Sequence, residues 1–394
     1  MERRAFMAGS TALAASAALG QPAETPTVPG KSPQLHAITT NPMVLETPDQ
    51  LLGRERVTPA AALFVRNHHG GKPFLSMDPR PLEGNLELAG LVRNPQAVPL
   101  TQLAALEHTE VEMVLQCTGN FRSLFSKLSP VKGTQWGKGG VGNVRFGGVP
   151  IAAFFKAVKL EIDPNAKFIT AEGADQPEKP EQHDFEKSIP LDVAMSRGLL
   201  ATHLNGAPLP AVHGGPLRLV IPGYYGSMQV KWLTKLRFEA EESKGYYQAV
   251  DYRTPNRLLK PGETFPINAA NSSPAADMKI NSRILSPQEG MRLRPGAAVV
   301  VKGVAWNDGA AAITSVELSL DQGRNWSAAV LQPPVSPYAF REWKGAIELG
   351  PGRHELWSRA VDALGRTQPS DGGLLWNPGG YAWNGVEKLT LTVG

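Results

Sequence analysis

The segment VEMVLQCTGNFRS, residues 111–123, contains the single cysteine of a 394-residue chain. Val111, Met113, Leu115 and Cys117 recur at every second position, the period of a strand with one buried face. The run then meets Thr118-Gly119-Asn120, residues that favour a turn. The same reading makes strands of KFITAE, PLRLVIP and KWLTKLRFEA, whereas LTQLAALEH (100–108) and PIAAFFKAVKL (150–160) carry apolar residues at helical spacing. Strands mixed with modest helices, without the regular alternation of a doubly wound sheet, predict an α+β domain over residues 43–255.

Beyond it, residues 256–277 are polar and turn-rich without a clear period, and read as a linker. Residues 278–394 then hold short strand-like runs, AVVVKGVAW, ITSVELSLD, HELWSRAVDA and EKLTLTVG, separated by glycine-containing turns. That pattern predicts an immunoglobulin-like β-sandwich, here without a disulfide. On the other side, residues 21–42 are rich in Pro, Thr and Ser and read as an extended arm. Residues 1–20, MERRAFMAGSTALAASAALG, combine Arg3-Arg4 with a short Ala-rich run, the pattern of a twin-arginine export signal. The expected location is the periplasm. The apolar run is too short to span a bilayer, so no membrane span is expected.

Forty basic and thirty-six acidic residues give a formal charge of only +4, and no block of Lys and Arg is interleaved with aromatics. Nucleic acid is therefore a poor partner for this chain. One cysteine in an exported protein excludes an internal disulfide.

Three roles compete for Cys117: buried filler, nucleophile, or ligand to a soft metal. Without HExxH or CxxC spacing, the protein alone cannot complete a tetrahedral zinc site, so any metal must arrive largely coordinated by a cofactor. The run Gly137-Lys138-Gly139-Gly140-Val141-Gly142 satisfies GxGxxG literally. It is followed by a strand-like run instead of a helix, so it reads as a glycine loop and not a dinucleotide site. Basic residues fall near glycines in FVRNHHGG, CTGNFRS, SPVKGTQW, VHGGPLRLVIPG and SMQVKWL, which suggests two anion sites, one for a phosphate-bearing cofactor and one for an anionic substrate.

Taken in order, F-x-R-N-H, C-x-G-N-x-R, V-K-G-x-x-W, H-G-x-P-x-R-x-x-x-P-G and V-K-W-L resemble the sulfite oxidase family of molybdopterin enzymes. The C-terminal segment is similar to that family's dimerisation domain through VELSLDQGRNW and SRAVDALGRTQP. The resemblance implies one molybdenum-molybdopterin per chain, with Cys117 as the protein's metal ligand. It implies cofactor contacts by Phe64, Val65, Arg66, Asn67, His68, Asp175, His213, Arg218, Gln229, Val230 and Lys231. It further implies a positive substrate pocket from Arg66, Arg122 and Lys132, with Tyr252 as the active-site tyrosine.

Sulfite is then the expected substrate, oxidised to sulfate, with sulfur bound to a partner protein as the alternative. Two departures make the expected pocket less basic. Asn377-Pro378-Gly379-Gly380 stands where vertebrate members have an arginine, and Phe121 replaces the first of two arginines. No CxxCH or cytochrome b5-like segment is present, so the chain is expected to carry no haem, to pass electrons to an external c-type cytochrome, and to form a homodimer.

Overall fold

The computed structural model describes residues 28–69, 72–296 and 298–394, so the export signal assigned to 1–20 lies outside the described residues. Two five-stranded sheets form the framework of the first domain. In one, Thr109–Gln116 pairs along its length with Val141–Pro150, which pairs with Leu199–Leu204; Ala207–Pro208 and Arg218–Val220 both pair with the latter. The other runs in the order Gln96–Pro99, Asn85–Gly90, Leu233–Glu239, Phe168–Gly173, Glu186–Pro190. It is antiparallel except where Asn85–Gly90 lies parallel to Leu233–Glu239. Leu88, Ile169, Leu236 and Phe238 of this sheet pack with Val149, Leu200 and Leu219 of the first and with Phe154 and Phe155 of the Ile151–Ala157 helix.

The segment 100–108 differs from its expected helix. Only Leu100–Ala105 winds, as a 3-10 turn, and Leu106 is already extended. Leu100 and Leu103 are the buried pair, and a 3-10 turn aligns positions three apart, so one turn satisfies both. The expected linker also contains structure: Ser272–Pro274 pairs antiparallel with Arg253–Pro255. Buried Arg253 fastens this hairpin, donating to the carbonyls of Gln248 at 2.8 Å and Ser272 at 2.6 Å. Residues 28–42 of the expected N-terminal arm begin with turns and then form a strand. This strand, His36–Thr40, pairs with Met43–Glu46, which in turn pairs with Val65–Arg66.

The C-terminal domain is a sandwich. A four-stranded sheet holds Asn281–Ser286, Val299–Trp306, Arg341–Ile347 and Val330–Leu331. It faces a five-stranded sheet of Arg292–Leu293, Glu387–Val393, Gly352–Asp362, Ile313–Ser319 and Ser327–Ala328. Val301, Trp343, Val316, Leu356, Leu389 and Leu391 fill the space between them.

The sandwich is built into the first domain. Thr109–Gln116 is the last strand of its sheet, and its Val114 N–H donates to Tyr338 O at 2.8 Å. Trp306 Nε1–H donates to Gln116 Oε1 at 2.8 Å, and Phe340 N–H to Asn143 Oδ1 at 3.1 Å. Buried Arg283 donates to Lys138 O and pairs with Asp49. The residue preceding Cys117 is thus held from the second domain. Because Gln116 and Trp306 are both buried, Trp306→Phe leaves an amide oxygen without a donor. Unfolding free energy should fall by about 1–3 kcal/mol, read from the shift in a urea or thermal unfolding midpoint.

Candidate active site

Cys117 leaves the strand end into a turn held from three sides. Its N–H donates to Gly140 O at 2.8 Å, Asn120 N–H donates to Cys117 O at 2.9 Å, and Gly140 N–H donates to Asn120 Oδ1 at 2.9 Å. The glycine loop is what permits this bracing. A Cβ on Gly139 would lie 1.9 Å from Thr47 O, so only glycine lets these backbones meet. The thiol lines a cavity shared with Arg66, His68, Arg218 and Tyr252. Burial pushes its pKa up, while the Arg66 charge, the Gly119 N–H and the Arg122 charge favour the thiolate.

Arg66 and His68 come from the Val65–Arg66 strand and the turn after it. Arg66 spends one N–H on Asn67 O and directs Nη2 at His68 Nδ1, 3.2 Å away. His68 Nε2 lies 2.5 Å from the Tyr252 hydroxyl. Burial holds the imidazole well below its usual pKa, and the charges of Arg66, Lys231 and Lys187 push the same way. A guanidinium only donates, so neutral His68 accepts at Nδ1 and carries its proton on Nε2. His68 therefore donates to the Tyr252 oxygen, which leaves the phenolic hydrogen free for another acceptor.

Tyr252 is rigidly set. Its backbone lies in the left-handed region at φ 55°, its ring stacks on Tyr381 at 4.8 Å, and the Lys187 ammonium lies 5.5 Å from its ring centre. Burial raises its pKa, so the phenol stays protonated. Lys187 is itself fully buried, donates to Tyr247 O at 2.5 Å, and is brought down to about 7 by that burial.

A second wall is built of basic side chains. Lys231 donates to Arg66 O at 3.1 Å and to Asn67 Oδ1, and Arg218 donates to His213 O at 2.9 Å. Behind His213 stands Lys31 of the N-terminal arm, buried, 3.0 Å from His213 Nε2 and donating to Ala60 O and Leu63 O at 2.5 Å each. Burial lowers the pKa of Lys31, His213 and Lys231 well below ordinary values and that of Arg218 to about 9. Asp175, the one acid lining the cavity among the described residues, is raised by burial and drawn back by Lys231.

Of the cavity-lining residues, Arg218 Nε and Gln229 Oε1 are buried without partners, and so are Asn67 Nδ2 and His69 Nδ1 on either side of His68 in sequence and Asn120 Nδ2 in the turn after Cys117. Buried polar atoms are normally bonded. A ligand with both donor and acceptor edges and a negative group therefore fits this cavity, as a phosphorylated pterin does. No group of three or more His, Cys, Asp or Glu side chains is placed to hold a metal among the described residues. A lone thiol at the cavity suits a metal that brings its other ligands with it.

Ten of the expected site residues line the cavity together: Phe64, Arg66, His68, Cys117, Asp175, His213, Arg218, Gln229, Lys231 and Tyr252. Val65 and Val230 are in the core behind it, and Asn67 sits beneath Lys231. Arg122 is buried off the cavity lining. It donates to Gly379 O and Thr134 O, each at 3.0 Å, with its guanidinium 4.8 Å from the Tyr381 ring centre. The Asn377–Gly380 segment thus meets Arg122 with a carbonyl. Phe121 turns into the apolar cluster between the domains. Lys132 is exposed and does not line the cavity. Sequence reading missed Phe185, which stacks on His68 at 4.7 Å, the 2.5 Å Thr118–Ser227 hydroxyl pair, and Lys31. No motif surrounds Lys31, and only a lysine amid small, rarely buried residues marks it.

Residues 74–247 match the model of the oxidoreductase molybdopterin binding domain, and residues 272–390 that of the Mo-co oxidoreductase dimerisation domain. The chain is 32% identical over 375 residues to mitochondrial sulfite oxidase of Mus musculus, covering 93% of this chain and 67% of that one. To sulfite oxidase of Arabidopsis thaliana it is 29% identical over 398 residues, covering 95% and 98%. Among solved structures it superposes on the sulfane dehydrogenase SoxCD from Paracoccus pantotrophus with a TM-score of 0.72 at 26% identity, covering 88% of this chain and 83% of that one. The chain spans about two thirds of the length of the insect and mammalian sulfite oxidases it matches. Fold and matched domains together define a molybdopterin-binding oxidoreductase. Within that class, the chain belongs to the sulfite oxidase family.

Lys31→Met should strip the Ala60 and Leu63 carbonyls and His213 of their donor, at about 1–3 kcal/mol for each buried group left unpaired. A lower thermal midpoint and less pterin and molybdenum per purified chain are the expected readings.

Proposed function

We propose that this chain oxidises sulfite to sulfate at a molybdenum-molybdopterin centre and passes the electrons to a c-type cytochrome. In this reading it is exported to the periplasm by the twin-arginine signal and pairs with a second copy through its C-terminal domain. The observation that carries the reading is the convergence of Cys117, Arg66 and the His68–Tyr252 pair on one cavity with a wall of basic side chains.

A bound molybdenum-pterin group supplies two-electron oxygen-atom transfer chemistry, with Cys117 as its protein sulfur donor and His213, Arg218 and Lys231 toward the pterin and its phosphate. The remaining work belongs to side chains. Sulfite bears negative charge on three oxygens and a lone pair on sulfur, so a fixed guanidinium at Arg66 can hold the oxygens and leave the sulfur directed away from it. Arg66 is fixed because its other N–H groups are spent on Asn67 O and His68. Tyr252 offers one O–H donor, aimed by His68 and kept protonated by burial, to the oxygen on which charge changes. Arg122, bound to two carbonyls, contributes charge near the thiol more than direct grip.

The fold shared with a sulfane dehydrogenase, together with an Arg122 turned to carbonyls, favours a second reading: oxidation of sulfur carried on a partner protein's cysteine. A molybdenum-replete sample separates the two. Reduction of a cytochrome or of hexacyanoferrate(III) by free sulfite supports the first, and inactivity toward sulfite supports the second.

Cys117→Ser should abolish turnover and reduce bound molybdenum; wild-type rates would overturn the ligand assignment. Arg66→Gln removes a charge-assisted contact of about 1.5–3 kcal/mol and should raise KM for sulfite about 10- to 100-fold. An unchanged KM, measured by steady-state kinetics, would remove Arg66 from the substrate pocket.

A further inference from the structure

Rings in contact lead from the cavity to the surface, and the reaction proposed above leaves Tyr247, Tyr246 and His183 unused. His68 and Tyr252 stand at the cavity, and the Tyr247 ring centre lies 4.7 Å from His68 and 6.3 Å from Tyr252. Tyr246 follows at 5.3 Å from Tyr247, and His183 lies flat on Tyr246 at 4.2 Å and 13°. Both end members are in solvent: His183 is exposed, and Tyr246 is 37% exposed beside Val250 at 44%.

The two segments that carry these exposed rings are rich in acids. Glu178 and Glu181 on the segment that carries His183, and Glu241 on the segment that carries Tyr246, are exposed without an ion-pair partner among the described residues, and the charge of Asp251 acts on Tyr246. Lys179 and Lys244 are the lysines exposed on these two segments, 174–186 and 239–251. The chain as a whole carries +4, so these acids oppose the overall sign of the protein.

We propose that the Tyr246–His183 face is the docking site of the electron acceptor, a basic one-electron haem protein, with Tyr247 bridging it to the cavity. The proposal rests on the oxidation proposed above. Sulfite and water yield sulfate, two protons and two electrons; each electron reduces one ferric haem to ferrous, so two acceptor molecules are used per sulfite. An exposed apolar-aromatic centre with a charged rim is the anatomy of a transient interface, where opposite charge speeds encounter and salt weakens it. An exposed haem edge seated on Tyr246 would lie in ring-to-ring continuity with His68 and Tyr252, the short path that electron tunnelling requires.

The test uses the full chain, apo and loaded, with a basic monohaem c-type cytochrome as probe. Surface plasmon resonance on the apoprotein should show binding that salt weakens and that Glu178→Lys with Glu181→Lys weakens about tenfold at low salt. In the loaded enzyme, Tyr246→Ala should raise KM for the cytochrome and slow haem reduction about tenfold, while KM for sulfite and the rate with hexacyanoferrate(III) stay at wild-type values. Unchanged cytochrome affinity in the charge variant, or unchanged haem reduction in Tyr246→Ala, overturns the docking site. A loaded wild-type enzyme that fails to reduce hexacyanoferrate(III) with sulfite overturns the proposed oxidation instead, and the apoprotein binding measurement still decides the docking face.

Discussion

The structure depends on basic side chains gathered where water is scarce. Arg66, His213, Arg218 and Lys231 converge on one cavity with Lys31 behind them, and Asp175 is the acid that answers them there. Removing an ion from water carries a penalty of several kcal/mol even after relaxation. Burial accordingly pushes the protonation of Lys31, His213 and Lys231 strongly down. A fold assembled for stability alone would place apolar side chains here. Basic groups kept here against this penalty, beside unpaired Arg218 Nε and Gln229 Oε1, describe a protein shaped around an anion whose charge would restore their protonation. Binding such a group adds directly to the stability of the native fold.

What surrounds Cys117 shows how the rest of the chain serves that cavity. The turn is shaped by glycines that let Thr47 and the 137–140 loop approach each other. The strand before it is held by Trp306 and Tyr338 of the sandwich. The second domain is thus an outer support of the strand that ends at Cys117. Arg122 links the same parts, bonded to Gly379 of the second domain and Thr134 of the first.

Much of this was legible in the residues. Period-two runs read as strands were strands, because each has one face on a core, and the glycine loop was followed by a strand as its context required. The site motifs were readable because backbone turns and charges must recur in fixed order around a cofactor. Misreadings have local physical causes. Leu100 and Leu103 satisfy a 3-10 turn as readily as a helix, and the 256–277 tract conceals a short hairpin whose stability comes from Arg253, outside it. Lys132 and Arg122 share motif positions with pocket residues, yet three-dimensional packing turned one to solvent and the other to carbonyls. Lys31 was invisible because its partners are Ala60 and Leu63 carbonyls and a histidine 182 positions away.

The border of the matched catalytic domain runs from residue 74 to 247, and the dimerisation match begins at 272. Lys31, Arg66, His68 and Tyr252 all fall outside both intervals. A fragment trimmed to those borders would keep Cys117 and most of the pterin wall while discarding the guanidinium, the imidazole and the phenol that face it. Homology limits mark here where ancestry is recognisable, and the chemistry extends past them on either side.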